Sequence, residues 1–343
     1  MKTTRLLFII ICVCSIQFLK AQDIHFSQIG YSPLNLNPAL TGVFEGDMRF
    51  TANYRTQWNE VAPFETFSGA VDWSFYSEDY QKRFFSAGVL LNHDVAGDGN
   101  LSFTTVGLNG SYTHRIADGH YLSAGAMLGY NNRSFDFGNF QFGTQYNTET
   151  STYDPSFGTQ EDSYNSIASA NLFDVSAGFN WHYRVPRRSK RTSFDLGMGI
   201  MHFNQPSEVF LDGSAPEELP LRWSPHFMGT FQFHERFDFL VNATYQHQNS
   251  HRQFLYGGGV QFHLDTDFDE ELAFQLIANR RAQDAWVGMA AMRYRMWLVG
   301  FSYDFNTSDL QIQPGLRSGP ELSVRYILTR VKPTEAKICP LYL

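Results

Sequence analysis

The chain has 343 residues and a formal net charge of −8; 43% are hydrophobic, 16% aromatic and only 17% charged. Soluble domains average about 25% charged residues, so this chain is poor in charge and rich in rings, which excludes a disordered protein. The missing basic block argues against a nucleic-acid partner, and three cysteines are too few for a disulfide scaffold.

Residues 1–22 read as a secretory signal peptide. Lys2 and Arg5 precede an apolar run from Leu6 to Ile16, and Ala21 offers a small residue for cleavage. The run is too short to span a bilayer as a helix. Cys12 and Cys14 lie inside it, after bulky Ile11 and Val13, which is not a lipidation setting. Removal of the peptide would leave Cys339 as the one thiol. Residues 23–46 lack any strand pattern.

From residue 47 to 329 the apolar residues recur at every second position. Phe67, Val71, Trp73 and Phe75 interleave with Ser68, Ala70, Asp72 and Ser74, and Phe173, Val175, Ala177, Phe179 and Trp181 interleave with Asp174, Ser176, Gly178 and Asn180. Successive side chains of a strand point to opposite faces, so such segments carry one apolar and one polar or small face. About fourteen segments follow this rule: 47–55, 65–76, 84–92, 101–113, 120–132, 172–183, 192–203, 223–234, 237–247, 253–264, 271–279, 283–295, 297–306 and 320–329. Most are longer than the 5–6 residues usual in soluble strands and match the ~9–11 of a tilted membrane-spanning strand. The expected fold is therefore all-β, a transmembrane antiparallel outer-membrane barrel, with residues 330–343 as a periplasmic tail. With both ends periplasmic, the longest connectors, 133–171 and 204–222, fall outside, as outer-membrane barrels require. All six Trp lie at or near predicted strand ends, where interfacial rings concentrate.

The amino-terminal run Asp23-Ile24-His25-Phe26-Ser27-Gln28, then Pro33 to Gly42 with Asn37-Pro38, leads into Tyr54-Arg55-Thr56-Gln57-Trp58. Near the other end stands Tyr303-Asp304-Phe305-Asn306, and the chain closes on Ile338-Cys339-Pro340. Together these resemble the signatures of the PorP/SprF family, outer-membrane proteins of the type IX secretion system of Bacteroidetes. The resemblance implies a non-enzymatic role in export, with the type IX machinery, outer-membrane lipid and secreted cargo bearing carboxy-terminal sorting domains, including gliding adhesins, as partners. It singles out Phe26, Ser27, Gln28, Asn37, Pro38, Tyr54, Arg55, Gln57, Trp58, Cys339 and Pro340 as structural or contact residues. No cofactor is implied.

Other chemistry finds little support. Asp265-Thr266-Asp267-Phe268-Asp269 begins like a calcium loop but has Glu270 and Leu276 where glycine and glutamate belong. Gly257-Gly258-Gly259 sits within a strand, where a bend or close backbone approach fits better than a phosphate cradle. His226, His234 and His263 fall on polar strand faces and read as lumen-facing. No Gly-x-Ser-x-Gly elbow is present. Arg187-Arg188-Ser189-Lys190-Arg191 forms a basic periplasmic turn, either solvated or turned to an acidic partner or lipid headgroups. The ring-rich loop 133–171 suits partner contact or a lid. The rival reading is an outer-membrane solute channel or hydrophobic-substrate transporter, and whether residues 23–46 fold inside the barrel is left open by the sequence.

Overall fold

A computed structural model describes residues 23–57, 64–76, 83–97, 99–136, 142–154, 156–158, 167–186, 191–209, 216–266, 271–307 and 319–329. In chain order its strands are β1 (Met48–Gln57), β2 (Phe64–Tyr76), β3 (Arg83–Ala96), β4 (Leu101–Ala117), β5 (His120–Asp136), β6 (Tyr146–Asn147), β7 (Thr152–Tyr153), β8 (Ile167–Arg184), β9 (Ser193–Met201), β10 (Ser207–Glu208), β11 (Glu217–Glu218), β12 (Arg222–His234), β13 (Phe237–Gln248), β14 (His251–Asp265), β15 (Leu272–Arg281), β16 (Ala285–Tyr294), β17 (Trp297–Asn306) and β18 (Pro320–Leu328). The four two-residue strands make two small hairpins, β6 with β7 and β10 with β11. The other fourteen close into one antiparallel barrel in which β1 pairs with both β2 and β18. Closure leaves no edge, so every ladder group is paired without water, as a lipid setting demands.

Each of the fourteen alternating segments coincides with one barrel strand. Several run longer than expected. β8 has 18 residues, and β4 and β5 have 17 each; β5 and β8 flank the longest connector and continue past the span that a bilayer needs. The connectors 137–166, 202–221 and 307–319 lie at one rim, while the opposite rim has tight turns at 118–119, 235–236 and 295–296. The first rim is therefore the outer one.

The outward face is predominantly apolar, with polar and charged side chains near its rims. Phe85, Leu108, Phe173, Phe179, Leu276 and Phe301 are all exposed, although none could remain so in water. The lipid-facing Trp223 and Trp286 sit at the outer ends of β12 and β16, and Trp297 at the inner end of β17, forming parts of two interfacial girdles. No helix among the described residues is long and apolar enough to cross a membrane; the crossing is made by strands. The inward face departs from a simple polar lining. Leu255, Val287, Met289 and Leu298 point inward and are buried. An aqueous lumen would not cover them. Something apolar fills it.

Candidate functional site: a plugged lumen

Small eight-stranded barrels are filled by their own side chains, and larger ones leave a channel. Fourteen strands leave too much room for side chains alone. The filler is residues 23–46, and the local sequence explains why this segment is not a strand. Pro33 and Pro38 lack amide donors and each opens a short helical turn, Pro33–Leu36 and Pro38–Leu40. Asn37 accepts from the Ala39 amide at 2.9 Å, capping the second turn, and Gly42 has φ 73°. The result is a compact thread with apolar residues on two sides. Ile29, Leu36 and Leu40 pack with Leu255 and Val287, Tyr31 with Met289 and Leu298, and Leu34 with Leu90 and Met127. Burying such a side chain stabilises by about 1.5–3 kcal/mol.

The thread descends from the outer rim to the inner rim, held by polar contacts at each level. At the outer mouth, Asp23 meets His202 (2.6 Å) and Arg222 (3.2 Å), and its amide donates to Gln248 Oε1 at 3.1 Å. His202 also faces Asp174 at 3.0 Å. Asp23 and His202 lie outside the spanning strands. Burial alone would lower the His202 pKa, but the Asp23 and Asp174 carboxylates outweigh it and push it up to about 9. Burial opposes the Asp23 charge, yet His202 and Arg222 hold its carboxyl well below the usual range. The His202 contribution is thus complete below its ordinary pKa of about 6.5 and is lost as pH rises through about 9, whereas the Asp23 contribution is lost only on strong acidification. Amide hydrogen exchange at Ile24–Ser27, corrected for intrinsic rates, is therefore expected to accelerate between pH 7 and 9.5. The His202→Gln variant should lose that rise.

One level down is a charge cluster with almost no solvent contact. Arg55 Nη2 donates to Asp304 Oδ2 at 2.9 Å and Arg281 Nη2 to the same oxygen at 2.6 Å. Ser27 Oγ donates to Asp304 at 3.0 Å and accepts from Arg281 at 2.5 Å, and Arg55 Nη1 donates to the His25 carbonyl at 2.7 Å. Glu321 receives the amides of Ser27 (2.8 Å) and Gln28 (3.1 Å). The Gln28 amide group donates to Ser302 and the Glu321 carbonyl, and its oxygen accepts from Ser323. Residues nearly 300 positions apart thus clamp the His25–Gln28 segment.

At mid-depth the wall thins to meet the thread. Gly125, Gly178 and Gly199 lie side by side across β5, β8 and β9. A Cβ on Gly125 would overlap the Pro38 carbonyl, one on Gly178 the Asn37 side chain, and one on Gly199 the Leu36 carbonyl. Asn37 Nδ2 donates to the Phe179 carbonyl at 2.9 Å from this seat. Gly178→Val should cost about 1–3 kcal/mol by overpacking, measured as a lower urea midpoint in micelles, while leaving the exterior untouched. At the inner end Arg49 grips Asp72 with two bonds of 2.9 and 2.7 Å and the Leu40 carbonyl at 3.0 Å, and the Gly42 amide donates to Asp72 at 2.7 Å.

Of the residues singled out by the sequence, Phe26, Ser27, Gln28, Asn37 and Pro38 are buried in the thread and Arg55 in the wall facing it. Tyr54 points to the lipid and Gln57 ends β1 half-buried. Trp58, Cys339 and Pro340, the basic turn at 187–190 and the centre of the acidic turn at 267–270 lie outside the described residues. His226 and His263 are buried in the lumen. His234 is exposed at the β12–β13 turn, where the register shifts between Gln232 and His234. Gly257–Gly259 lie within β14 in close approach to the backbones of β13 and β15. Asp72 and Gly178 stand in the sequence only as positions on a polar or small strand face, and Glu321, Arg281, Gly125 and Gly199 carry no signal there beyond that alternation. No group of three His, Cys, Asp or Glu poised for a metal occurs among the described residues.

These features define a plugged outer-membrane β-barrel. The model of the type IX secretion system membrane protein PorP/SprF family matches residues 18–326, and the chain belongs to that family. No curated protein matches. Among solved structures, the chain is similar to the Ralstonia pickettii toluene transporter TbuX at 11% identity and TM-score 0.53, covering 87% of this chain and 93% of that one. A Pseudomonas aeruginosa FadL homologue matches at 12% identity and TM-score 0.48, over 84% and 92%. The first likeness concerns the fold of the barrel.

Proposed function

We propose that this barrel is a non-enzymatic partner in type IX secretion, assisting the export and surface anchoring of cargo proteins with carboxy-terminal sorting domains, gliding adhesins among them. The observation that carries the reading is the family match over nearly the whole barrel, on a chain whose lumen is occupied by its own amino-terminal segment. A barrel whose interior is filled presents its rims for work. The outer rim suits protein contact. Tyr146 and Tyr153 face each other across the β6–β7 hairpin, in the connector between β5 and β8, and with Phe157 of the same connector they are exposed. Rings on short polar hairpins bind with little entropy loss. The machinery is the partner at the periplasmic rim.

The test is deletion of the gene followed by an inventory of surface and released proteins. A specific set of sorting-domain cargo should be retained in the cell and return on complementation. Unchanged export of every such protein would contradict the reading.

A further inference from the structure

On the lipid side of β13–β15, just below the outer rim, three basic residues stand where the other outward positions of these strands are apolar or glycine. Arg252 is exposed on the outward side of β14, in line with Phe254 and Tyr256, and pairs in register with His247 of β13. Arg280 is on the outward side of β15, opposite Tyr256 on one flank and Trp286 on the other. Its guanidinium lies over the Trp286 ring at 5.1 Å and donates to Thr307 Oγ1 at 2.8 Å. His247 stacks on Tyr245 at 6.4 Å.

Among the described residues no hydrogen bond or ion pair holds the Arg252 side chain, and no carboxylate lies against the Arg280 guanidinium. Surface arginines on soluble proteins are solvated, but these sit at the top of the lipid face, with the exposed rings of Trp223, Tyr245, Tyr256 and Trp286 beside them. A cation there extends toward the headgroup layer while its stem stays in the apolar zone. Trp286 and Thr307 fix Arg280 in one direction, which reduces the freedom lost on binding. Arg252 lies four residues up the strand from Tyr256, the register partner of Arg280, about 13 Å at ~3.3 Å per residue. Two guanidinium groups so spaced suit anionic groups at two ends of a headgroup, and guanidinium is the side chain that binds phosphate through paired hydrogen bonds.

We propose that Arg252, Arg280 and His247 form a binding site for the phosphorylated headgroup of an outer-leaflet glycolipid. The site is independent of the secretion role and rests only on the barrel's position in the outer membrane.

Native mass spectrometry of the full chain, released from micelles doped with diphosphorylated lipid A, tests the site. Dephosphorylated lipid A and phosphatidylglycerol serve as comparison lipids. The wild type should retain the diphosphorylated lipid, and Arg252→Gln/Arg280→Gln should bind it about tenfold more weakly or less, with a shallower salt dependence. The single exposed change Arg252→Gln, which touches no packing, should lower affinity in the same direction if the double variant folds poorly. Equal retention of the dephosphorylated lipid would assign binding to the acyl chains and overturn the proposal. Unchanged binding by both variants, or preference for phosphatidylglycerol, would overturn it as well.

Discussion

Removing residues 25–42 is expected to turn a closed barrel into a conducting one. The strands make the wall through ladder hydrogen bonds that do not involve the thread, so a barrel lacking the thread can still close. What it loses is the filling of an interior that fourteen strands make too wide for side chains to close. The inward Leu255, Val287, Met289 and Leu298 would then meet water, so the deletion should also lower stability by several times the ~1.5–3 kcal/mol of one buried apolar side chain. In planar bilayers the wild type should pass little current, and the deletion variant about tenfold more or greater. A stable open pore in the wild type would instead favour the transporter reading and make the thread a minor obstacle. The likeness to TbuX is a likeness of barrels and leaves this measurement to decide between them.

Breaking the upper charge cluster is expected to be the most damaging single substitution. Asp304→Ala removes the carboxylate that Arg55 and Arg281 share, leaving two buried guanidinium groups with fewer partners. Loss of one partner from a buried ion pair typically costs about 3–5 kcal/mol, because the remaining charge keeps its desolvation penalty. Urea titration in micelles, with heat-modified gel mobility as the readout of the closed barrel, should show a lowered midpoint. Arg55→Met combined with Asp304→Ala should recover part of the loss, since it removes a stranded charge along with its partner. Glu321→Gln should cost less, because its backbone carbonyl still accepts from Gln28.

The contrast between what the sequence discloses and what it hides follows from the physics of each part. The strands were legible because a two-residue period is local; Phe67 and Ser68 announce opposite faces without reference to anything distant. The thread has no period, and its partners are up to 295 positions away, as between Gln28 and Ser323. Nothing local distinguishes an inside thread from one lying beneath the barrel. β16 shows how the lumen misleads. Both its faces are apolar, Val287 and Met289 inward and Trp286 and Met292 outward, since one packs on the thread and the other on lipid. The residues quoted for family resemblance fared unequally. Ser27, Gln28 and Arg55 converge with Asp304 of the second signature in one network, whereas Tyr54, next to Arg55, turns to the membrane because alternation sends neighbours to opposite sides.

A cross-link between thread and wall tests most directly whether residues 23–46 run through the lumen of the folded protein. Asn35 Nδ2 donates to Ser68 Oγ at 2.7 Å, joining the thread to the inner surface of β2. Cysteines placed at both positions, in a Cys339→Ser background, lie where the native side chains touch and so within reach of a short bis-methanethiosulfonate cross-linker. Cross-linking in intact cells should then yield a single internally linked species whose gel mobility changes on reduction, while either cysteine alone yields none. Two thiols that stay free and react with a bulky maleimide in the folded barrel would contradict the threaded arrangement.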